Sequence, residues 1–512
     1  MSSSQGVKGF YRGKDVFITG ASGFLGLTLL EKLLRTIPDH GTIYLLLRPK
    51  KGKEIHERLD DIKKNKIFEP LLKDKTVESV FANVKAVAGD VGQENLGLSP
   101  ADRQLLTANV NVIFHSAATL DFGENLRSTV NINLLGTRRV TQLAKDCTKL
   151  QVLVHVSSAY VNSWRLEAEE VIYPLTYNPD ELIKLVENIN DEELDAKTPS
   201  ILGEHPNTYT ITKHMAEHEI QKIEEQVPCT IVRPSMILGV WKDPIPGWTI
   251  SKNGPPGFFM GAAKGVVRRL PVAKDLIYDY VPVDIVVNTL IVAGFHAAVS
   301  EAKKVEIYQA TSSTRNPFCW ASVEDRVNDM LHEFPVKSAV WYPYLKLLPS
   351  VGWFKISAFF VHFLPALILD RILSLTGGRP ILVRLHRNIN TSLDRLAKFI
   401  FTEWKFPAVN TQKLQKWLNE QDQNDFNVDL TQLKWPEFFT QMVKGARIYL
   451  NNEPMKNLAA AKTKDKILLV VHYITQALIF SLIWYIFALI LNLSMSKAAF
   501  VVPITYVLFS LL

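Results

Sequence analysis

Val16-Phe17-Ile18-Thr19 is a run of β-formers ending at Gly20, after which apolar residues return at helical spacing at Leu27, Leu29, Leu30, Leu33 and Leu34. The change of period predicts a strand, a tight turn and a helix. Further apolar runs follow at Thr42–Leu47, Val84–Gly89, Asn111–His115, Gln151–Val156 and Val305–Ala310. Thr42–Leu47 is continuously apolar, as expected of a strand buried on both faces. Val130, Ile132, Leu134, Leu135, Val140 and Leu143 predict a helix between two of these strands. Strands alternating with helices at this spacing predict an α/β chain with a doubly wound parallel sheet. Ligands of such sheets bind at the carboxyl ends of the strands.

The rest of the chain reads differently. Residues 164–204 are acidic and are expected to form an irregular surface excursion, and 241–260, rich in Pro, Gly and Trp, a long loop. A first domain is expected over 11–330 and a mostly helical one over 331–455. Phe354–Leu369 is apolar but carries Lys355, His362 and Pro365, and reads as a buried or membrane-leaning helix. Ile467–Leu493 holds no Lys, Arg, Asp or Glu over 27 residues. At ~1.5 Å per residue it exceeds the roughly 30 Å hydrocarbon core and predicts a transmembrane helix. Lys456, Lys462, Lys464 and Lys466 precede it, which favours a cytosolic body. Ala498–Leu512 is a second hydrophobic membrane segment, either returning as a hairpin or lying in the interface.

Net charge is +7, with 21% charged residues. The basic clusters Arg48–Lys53 and Lys63–Lys66 read as solvated faces, since no stacking-aromatic module accompanies them, and no nucleic-acid partner is expected. Cys147, Cys229 and Cys319 are far apart, with no C-x-x-C, so neither a disulfide framework nor a thiolate zinc site is indicated. The polar Met1–Gly9 has no apolar signal core.

Candidate chemistry gathers at the predicted strand ends. In Gly20-Ala21-Ser22-Gly23-Phe24-Leu25-Gly26, Gly20 allows the turn, Gly23 the approach of a pyrophosphate and Gly26 close helix–strand packing. Ser22, Phe24 and Leu25 complete this cofactor-binding turn. Arg48 ends the second strand where an Asp or Glu would hold a ribose 2′-hydroxyl; an Arg suits a 2′-phosphate, hence NADPH rather than NADH. Asp90 and Val91 follow the third strand, where an adenine would sit, and Ala117 and Ala118 leave room for the cofactor after the fourth. The fifth strand ends at Ser157-Ser158. Tyr209 and Lys213 share a helical face, so the ammonium is expected to lower the phenol pKa and make Tyr209 a better proton donor.

TGASGFLG, Ser158, Tyr-x-x-x-Lys and Val232-Arg233-Pro234-Ser235 together resemble the extended short-chain dehydrogenase/reductases, with their Rossmann-type sheet. LLLRPKKG, VIFHSAAT, HVSSAYVN, PNTYTITK, IVRPSMI and above all WKDPIPGWTISKNGPPGFF narrow the resemblance to the fatty acyl-CoA reductases. VPVDIVVN, TSSTRNPFCW and FNVDLTQLKWPEFF agree, so it extends to about residue 452. Ser-Ser stands at 157–158 where that family often shows Ser-Thr, which keeps the hydroxyl.

The resemblance implies catalytic Tyr209, Lys213 and Ser158. It also implies reduction of a long-chain acyl-CoA to a primary fatty alcohol with two NADPH, through an aldehyde, in wax, ether-lipid or hydrocarbon-type metabolism. Residues 241–259 would help wall the acyl-CoA site. Membrane lipid is an implied partner. The endoplasmic reticulum is favoured over the peroxisome, since Phe509–Leu512 is no S-K-L-type address. Two alternatives stand beside this reading: a membrane-anchored NADP-dependent reductase or dehydrogenase of sterols or other hydrophobic carbonyls, and a non-enzymatic NADP-sensing tether. His214-Met215-Ala216-Glu217-His218 also fits the inverted zinc-protease pattern. No third ligand stands out, so ordinary surface histidines and no metal are expected.

Overall fold

The computed structural model describes residues 6–49 and 52–511. Met1–Gln5 of the polar N-terminus, Lys50 and Lys51 of the first basic cluster, and Leu512 lie outside the described residues. Two compact units emerge, and neither is continuous in sequence. One takes Met1–Trp248, Ile277–Phe318 and Glu403–Lys434; the other takes Thr249–Leu276, Cys319–Thr402 and Trp435–Leu512.

The first unit is built on a seven-stranded sheet. Its strands are β1 (Val16–Thr19), β2 (Ile43–Leu47), β3 (Val84–Ala88), β4 (Val112–His115), β5 (Val152–Val156), β6 (Cys229–Pro234) and Glu306–Ala310. The order is Glu306–Ala310, β6, β5, β4, β1, β2, β3, and every pairing is parallel. The direction of winding reverses between β1 and β4, which opens a crevice at their carboxyl ends. One face of the sheet contributes Phe17, Tyr44, Val87, Ile113, Leu153, Ile231 and Ile307 to a single core, closed by Leu106, Val140 and Leu143 from helices. Burial on both faces explains why these strands read as unbroken apolar runs. The helix Val283–Val299 covers the other face, and Gly294 is needed there: a Cβ would come within 2.7 Å of the Tyr11 hydroxyl and 2.9 Å of Val154.

The predicted strands stand where their patterns place them, with three corrections elsewhere. Residues 164–204 are not irregular. They contain the helices Pro179–Asn188 and Asp191–Leu202, each started by an Asn side chain that accepts from the first turn. Their Leu182, Ile183, Val186 and Leu194 join a separate core with Leu126, Val130 and Met215. The Pro- and Gly-rich stretch is likewise regular at its end, where Pro255 and Pro256 open the helix Pro255–Ala263. Proline at the first helical positions lacks only an N–H that has no intrahelical partner there. The helix expected around Val130 begins at Leu126 and passes through a π-turn at Val130–Leu135 before continuing to Asp146.

In the second unit an aromatic core joins Phe259, Trp320, Trp435, Phe438 and Phe439. It is mostly helical, with one parallel strand pair, Arg269–Pro271 and Lys346–Leu348. Two helical stretches, Val351–Leu375 and Met455–Ile490, are long and apolar enough to cross a membrane. After the second the chain folds back: Phe480 meets Tyr506 and Phe509, Phe487 meets Phe500, and the Trp484 indole donates to the Met495 carbonyl at 2.9 Å. The terminal apolar segment therefore returns as a helical hairpin rather than lying apart.

Candidate active site

The glycine turn between β1 and the helix Phe24–Thr36 is shaped by contacts that exclude side chains. Gly20 has φ +75°, and a Cβ on it would lie 2.8 Å from the Ala117 nitrogen; one on Gly26 would lie 2.3 Å from the Gly20 carbonyl oxygen. Gly23, the N-cap residue, supplies no side-chain cap, and no acidic residue stands in the first turn. The amides of that turn are left for an anion. Ser22 and Gly23 are exposed, and Phe24 and Leu25 half-buried. Such a cradle fits the pyrophosphate of a dinucleotide.

Beside the second strand's end stands one residue that no motif singled out. Arg48 lies 3.3 Å from the Asp90 carboxylate and is more than half exposed. Beside it, Arg58 donates to the Arg48 carbonyl at 2.6 Å and to the Ser22 hydroxyl at 3.0 Å. The Arg58 guanidinium thus adjoins the glycine turn, while that of Arg48 reaches Asp90. Arg58 follows no motif, since only folding of the helix Ile55–Lys63 brings it there. Asp90 also accepts from the Gly92 amide at 2.9 Å. Val91 is buried, packed against Gly136, and Ala117 and Ala118 are half-buried after β4.

Beneath the crevice runs a buried polar chain that no motif announced. The Thr19 hydroxyl meets His115 Nδ1 at 2.8 Å, and His115 Nε2 meets Thr137 at 3.1 Å. The rings of His115 and His155, neighbours across the β4–β5 pairing, lie 5.2 Å apart, and His155 Nε2 is 3.5 Å from Lys213 Nζ. Both imidazoles are held well below their ordinary pKa, first by burial and then by the Lys213 charge. They are neutral partners.

Tyr209 and Lys213 sit on the helix Thr208–Gln221, which starts where the Asn207 side chain accepts from the Thr210 amide at 3.0 Å. Tyr209 is buried against the Phe122 ring, with the Ser158 hydroxyl near enough to hold its pKa down. Ser158 also accepts from the Tyr160 amide, which fixes its hydroxyl at the end of β5. The expected electrostatics are corrected here. Burial raises the phenol pKa to about 12, and the opposing influence comes from the Ser158 hydroxyl, not the Lys213 charge. Lys213 is turned to the Val156 carbonyl and His155; burial lowers its pKa to about 8, against a smaller upward pull from Glu217.

The competing zinc pattern dissolves into two structural roles. Glu217 is fully buried and binds Arg233 through both carboxylate oxygens, at 2.8 and 2.6 Å, while accepting from Ser157 at 2.5 Å. His214 and His218 each make a 3.0 Å hydrogen bond with the Tyr173 carbonyl. His214 is buried rather than on the surface, tucked against Trp164 and His205. Among the described residues no group of three His, Cys, Asp or Glu is placed to hold a metal ion.

The most family-specific loop is tied to the glycine turn through Trp248, which is fully buried 5.5 Å from the Phe24 ring. Buried Asp284 holds the start of that loop, accepting from the amides of Trp241 and Lys242 at 2.9 Å each.

A parallel sheet reversing at β1/β4, an anion cradle and a Ser–Tyr–Lys set at the strand ends define a nicotinamide-dependent oxidoreductase of the short-chain dehydrogenase/reductase type. The male sterility protein NAD-binding family model matches residues 18–290, and the Sterile model of the same description matches 361–453. Among solved structures, the terminal R domain of a myxalamid PKS-NRPS pathway shares the fold with TM-score 0.55 at 20% identity, over 85% of this chain and 90% of that one. A nonribosomal peptide synthetase reductase domain from Mycobacterium tuberculosis does so with TM-score 0.54 at 18% identity, over 85% and 92%. The Drosophila melanogaster protein CG8306, named after fatty acyl-CoA reductase, is 49% identical over 100% of both chains. Fatty acyl-CoA reductase 1 of Rattus norvegicus is 35% identical over 97% of this chain and 96% of its own. The chain belongs to the fatty acyl-CoA reductase family.

Proposed function

We propose that this protein reduces long-chain fatty acyl-CoA to a primary fatty alcohol with two NADPH, through an aldehyde, and that Tyr209, Ser158 and Lys213 carry the chemistry. The observation behind this reading is the placement of Ser158 at the end of β5 beside the buried Tyr209, with Lys213 one helical turn along, at the same end of the sheet as the glycine turn. Bound NADPH would supply hydride to the carbonyl carbon. The hydroxyls of Tyr209 and Ser158 would donate to the oxygen as negative charge develops on it. A phenol near pKa 12 stays protonated at neutral pH, and an alkoxide is a far stronger base than a phenolate, so proton transfer from Tyr209 is downhill. Burial therefore keeps the acid loaded, which is what a reduction requires. In the first reduction the hemithioacetal expels CoA; in the second the aldehyde oxygen takes its proton from the same phenol.

Lys213 would hold the nicotinamide ribose in its cationic form. With its pKa near 8, kcat/KM is expected to fall as pH rises through about 8, when the charge is lost. A flat profile from pH 7 to 10 would remove Lys213 from that role.

Arg48 and Arg58 would grip the 2′-phosphate. Arg48→Glu is expected to weaken NADPH by about 10²-fold, the scale on which a repulsion replaces a charge-assisted hydrogen bond, with NADH little changed. Arg58→Ala should do the same more mildly. Equal weakening of both cofactors, measured by fluorescence titration, would return both residues to the solvated surface.

The C-terminal hairpin would anchor the protein in the endoplasmic reticulum with the catalytic unit in the cytosol, as suits substrates and products that partition into lipid. The deciding experiment feeds acyl-CoAs of graded length and NADPH to membranes holding the full chain, then separates the lipids. Fatty alcohol is expected, with two NADPH consumed per alcohol. Aldehyde alone would remove the second reduction, and NADPH oxidation with sterol ketones but with no acyl-CoA would overturn the substrate class.

A further inference from the structure

The stretch Val351–Leu375 has its polarity inside out. Its buried positions include Ser357, His362 and Asp370, whereas Ile356, Phe359, Phe360, Leu367, Ile368 and Ile372 are 42–54% exposed. In water the opposite arrangement buries apolar surface; large side chains facing outward over inward polar groups suit a lipid surround. Inward Asp370 and His362 are tied to backbone amides, although His362 Nδ1 has no hydrogen-bond partner among the described residues. The Asp370 carboxylate accepts from the Leu382 and Val383 amides at 3.0 and 2.9 Å, closing the turn to the next helix, and His362 Nε2 accepts from the Arg268 amide at 2.9 Å. That next helix, Leu382–Ile400, packs back against the first, stacking His386 on His362 at 4.9 Å. It cannot cross a bilayer, because Arg384, Arg387, Asp394, Arg395 and Lys398 are all exposed along it. A basic amphipathic partner held against an apolar helix belongs in the plane of an interface, apolar side down, with arginines among anionic headgroups.

The neighbouring contact agrees. Lys346, five residues before the hairpin, donates to the Ser510 and Leu511 carbonyls at the end of the C-terminal hairpin, at 2.6 and 2.9 Å. The segment leading into the first hairpin and the end of the second therefore lie side by side.

We propose that Val351–Ile400 is a second membrane element, an in-plane hairpin seated in a single anionic leaflet, and that Val351–Leu375 does not span. It rests on the membrane anchoring proposed above, and not on the acyl-CoA reading. The occupant is the headgroup and upper acyl region of the bilayer, with Arg379, Arg384 and Arg387 facing its negative charge.

The test uses the full chain in a Cys319→Ser background, reconstituted in phosphatidylcholine vesicles with and without phosphatidylserine. Ile368→Cys and Ile372→Cys are labelled with an environment-sensitive fluorophore, and exposed Ser200→Cys serves as the reference. Retained NADPH binding certifies each variant as folded. Labels at 368 and 372 are expected to be quenched several-fold more by lipid-borne than by aqueous quenchers, and the reverse at 200. Arg379→Cys should react with an impermeant maleimide from the same side as Ser200→Cys. Charge reversal of Arg379, Arg384 and Arg387 should lower lipid quenching at 368 in anionic but not neutral vesicles. Aqueous quenching at 368 and 372 in vesicle-bound protein overturns this proposal alone, as does shielding from both quenchers by a second copy. Labelling of residue 379 only from the opposite side restores a span and also overturns it. A chain that never binds vesicles overturns the anchoring with it.

Discussion

Tyr209→Phe is expected to abolish alcohol formation, with kcat/KM down by about 10³-fold or more, while NADPH binding and folding survive. The size follows from what one hydroxyl does at this position. A positioned general acid contributes about 10²–10⁴-fold, and the same O–H would be one of two donors to the developing oxyanion. The structural cost is small because the phenylalanine ring keeps the contact with Phe122 and loses only the hydroxyl that faces Ser158. Single-turnover reduction of an acyl-CoA, read beside a cofactor titration on the same preparation, separates the two effects. Full activity in this variant would end the proposed mechanism. Ser158→Ala should be milder, since Tyr209 remains as donor.

The second large effect falls on stability. Glu217 and Arg233 are both fully buried and paired at 2.6 Å, and Arg233 also donates to the carbonyls of Glu169 and Val171, at 3.0 and 2.8 Å. The pair thus ties the segment after β5 to the sheet, directly behind Ser157-Ser158. Glu217→Gln would leave a buried guanidinium without its counter-charge, which costs about 3–5 kcal/mol. The double replacement Glu217→Leu with Arg233→Met should recover much of that loss, as desolvation of both charges is avoided. The pH dependence has a definite sign. Burial works to raise the Glu217 pKa, but the charge and hydrogen bonds of Arg233, aided by Ser157, outweigh it and hold the carboxyl below its ordinary value. The folded state therefore gains stability from this group above the unfolded carboxyl pKa and loses it as pH falls through the lower, folded one. Urea unfolding of the wild type should weaken below about pH 4.5, and the double replacement should weaken less. Identical acid profiles would assign the acid sensitivity to other carboxylates.

Both effects concern one helix, Thr208–Gln221, and show how a short motif is used twice. Tyr209 and Lys213 face the strand ends, whereas Glu217, one turn further, faces Arg233. The letters that mimic a zinc site are the structural continuation of the turn that carries Tyr209 and Lys213. Nothing in the five-letter pattern distinguishes a ligand from a buried counter-ion; that needed β6 to bring Arg233 opposite.

What the chain determined by itself was local. Continuously apolar runs placed the strands, because burial on both faces leaves no polar positions. The glycines of 20–26 were readable because a turn with φ +75° and a helix packed within van der Waals reach of the preceding strand admit no Cβ. The Tyr–Lys spacing was readable because residues four apart share a helical face. Only the tertiary structure decided what depends on distant partners. Arg58 stands at the cofactor turn because a separate helix delivers it, and His115 and His155 line up beneath the site because β4 and β5 pair in register. The Tyr209 pKa rises rather than falls because solvent exclusion, a property of everything packed around the ring, outweighs any neighbour the sequence names. The same holds for Val351–Leu375: its apolar composition is written in the chain, but which side faces outward is settled by packing alone.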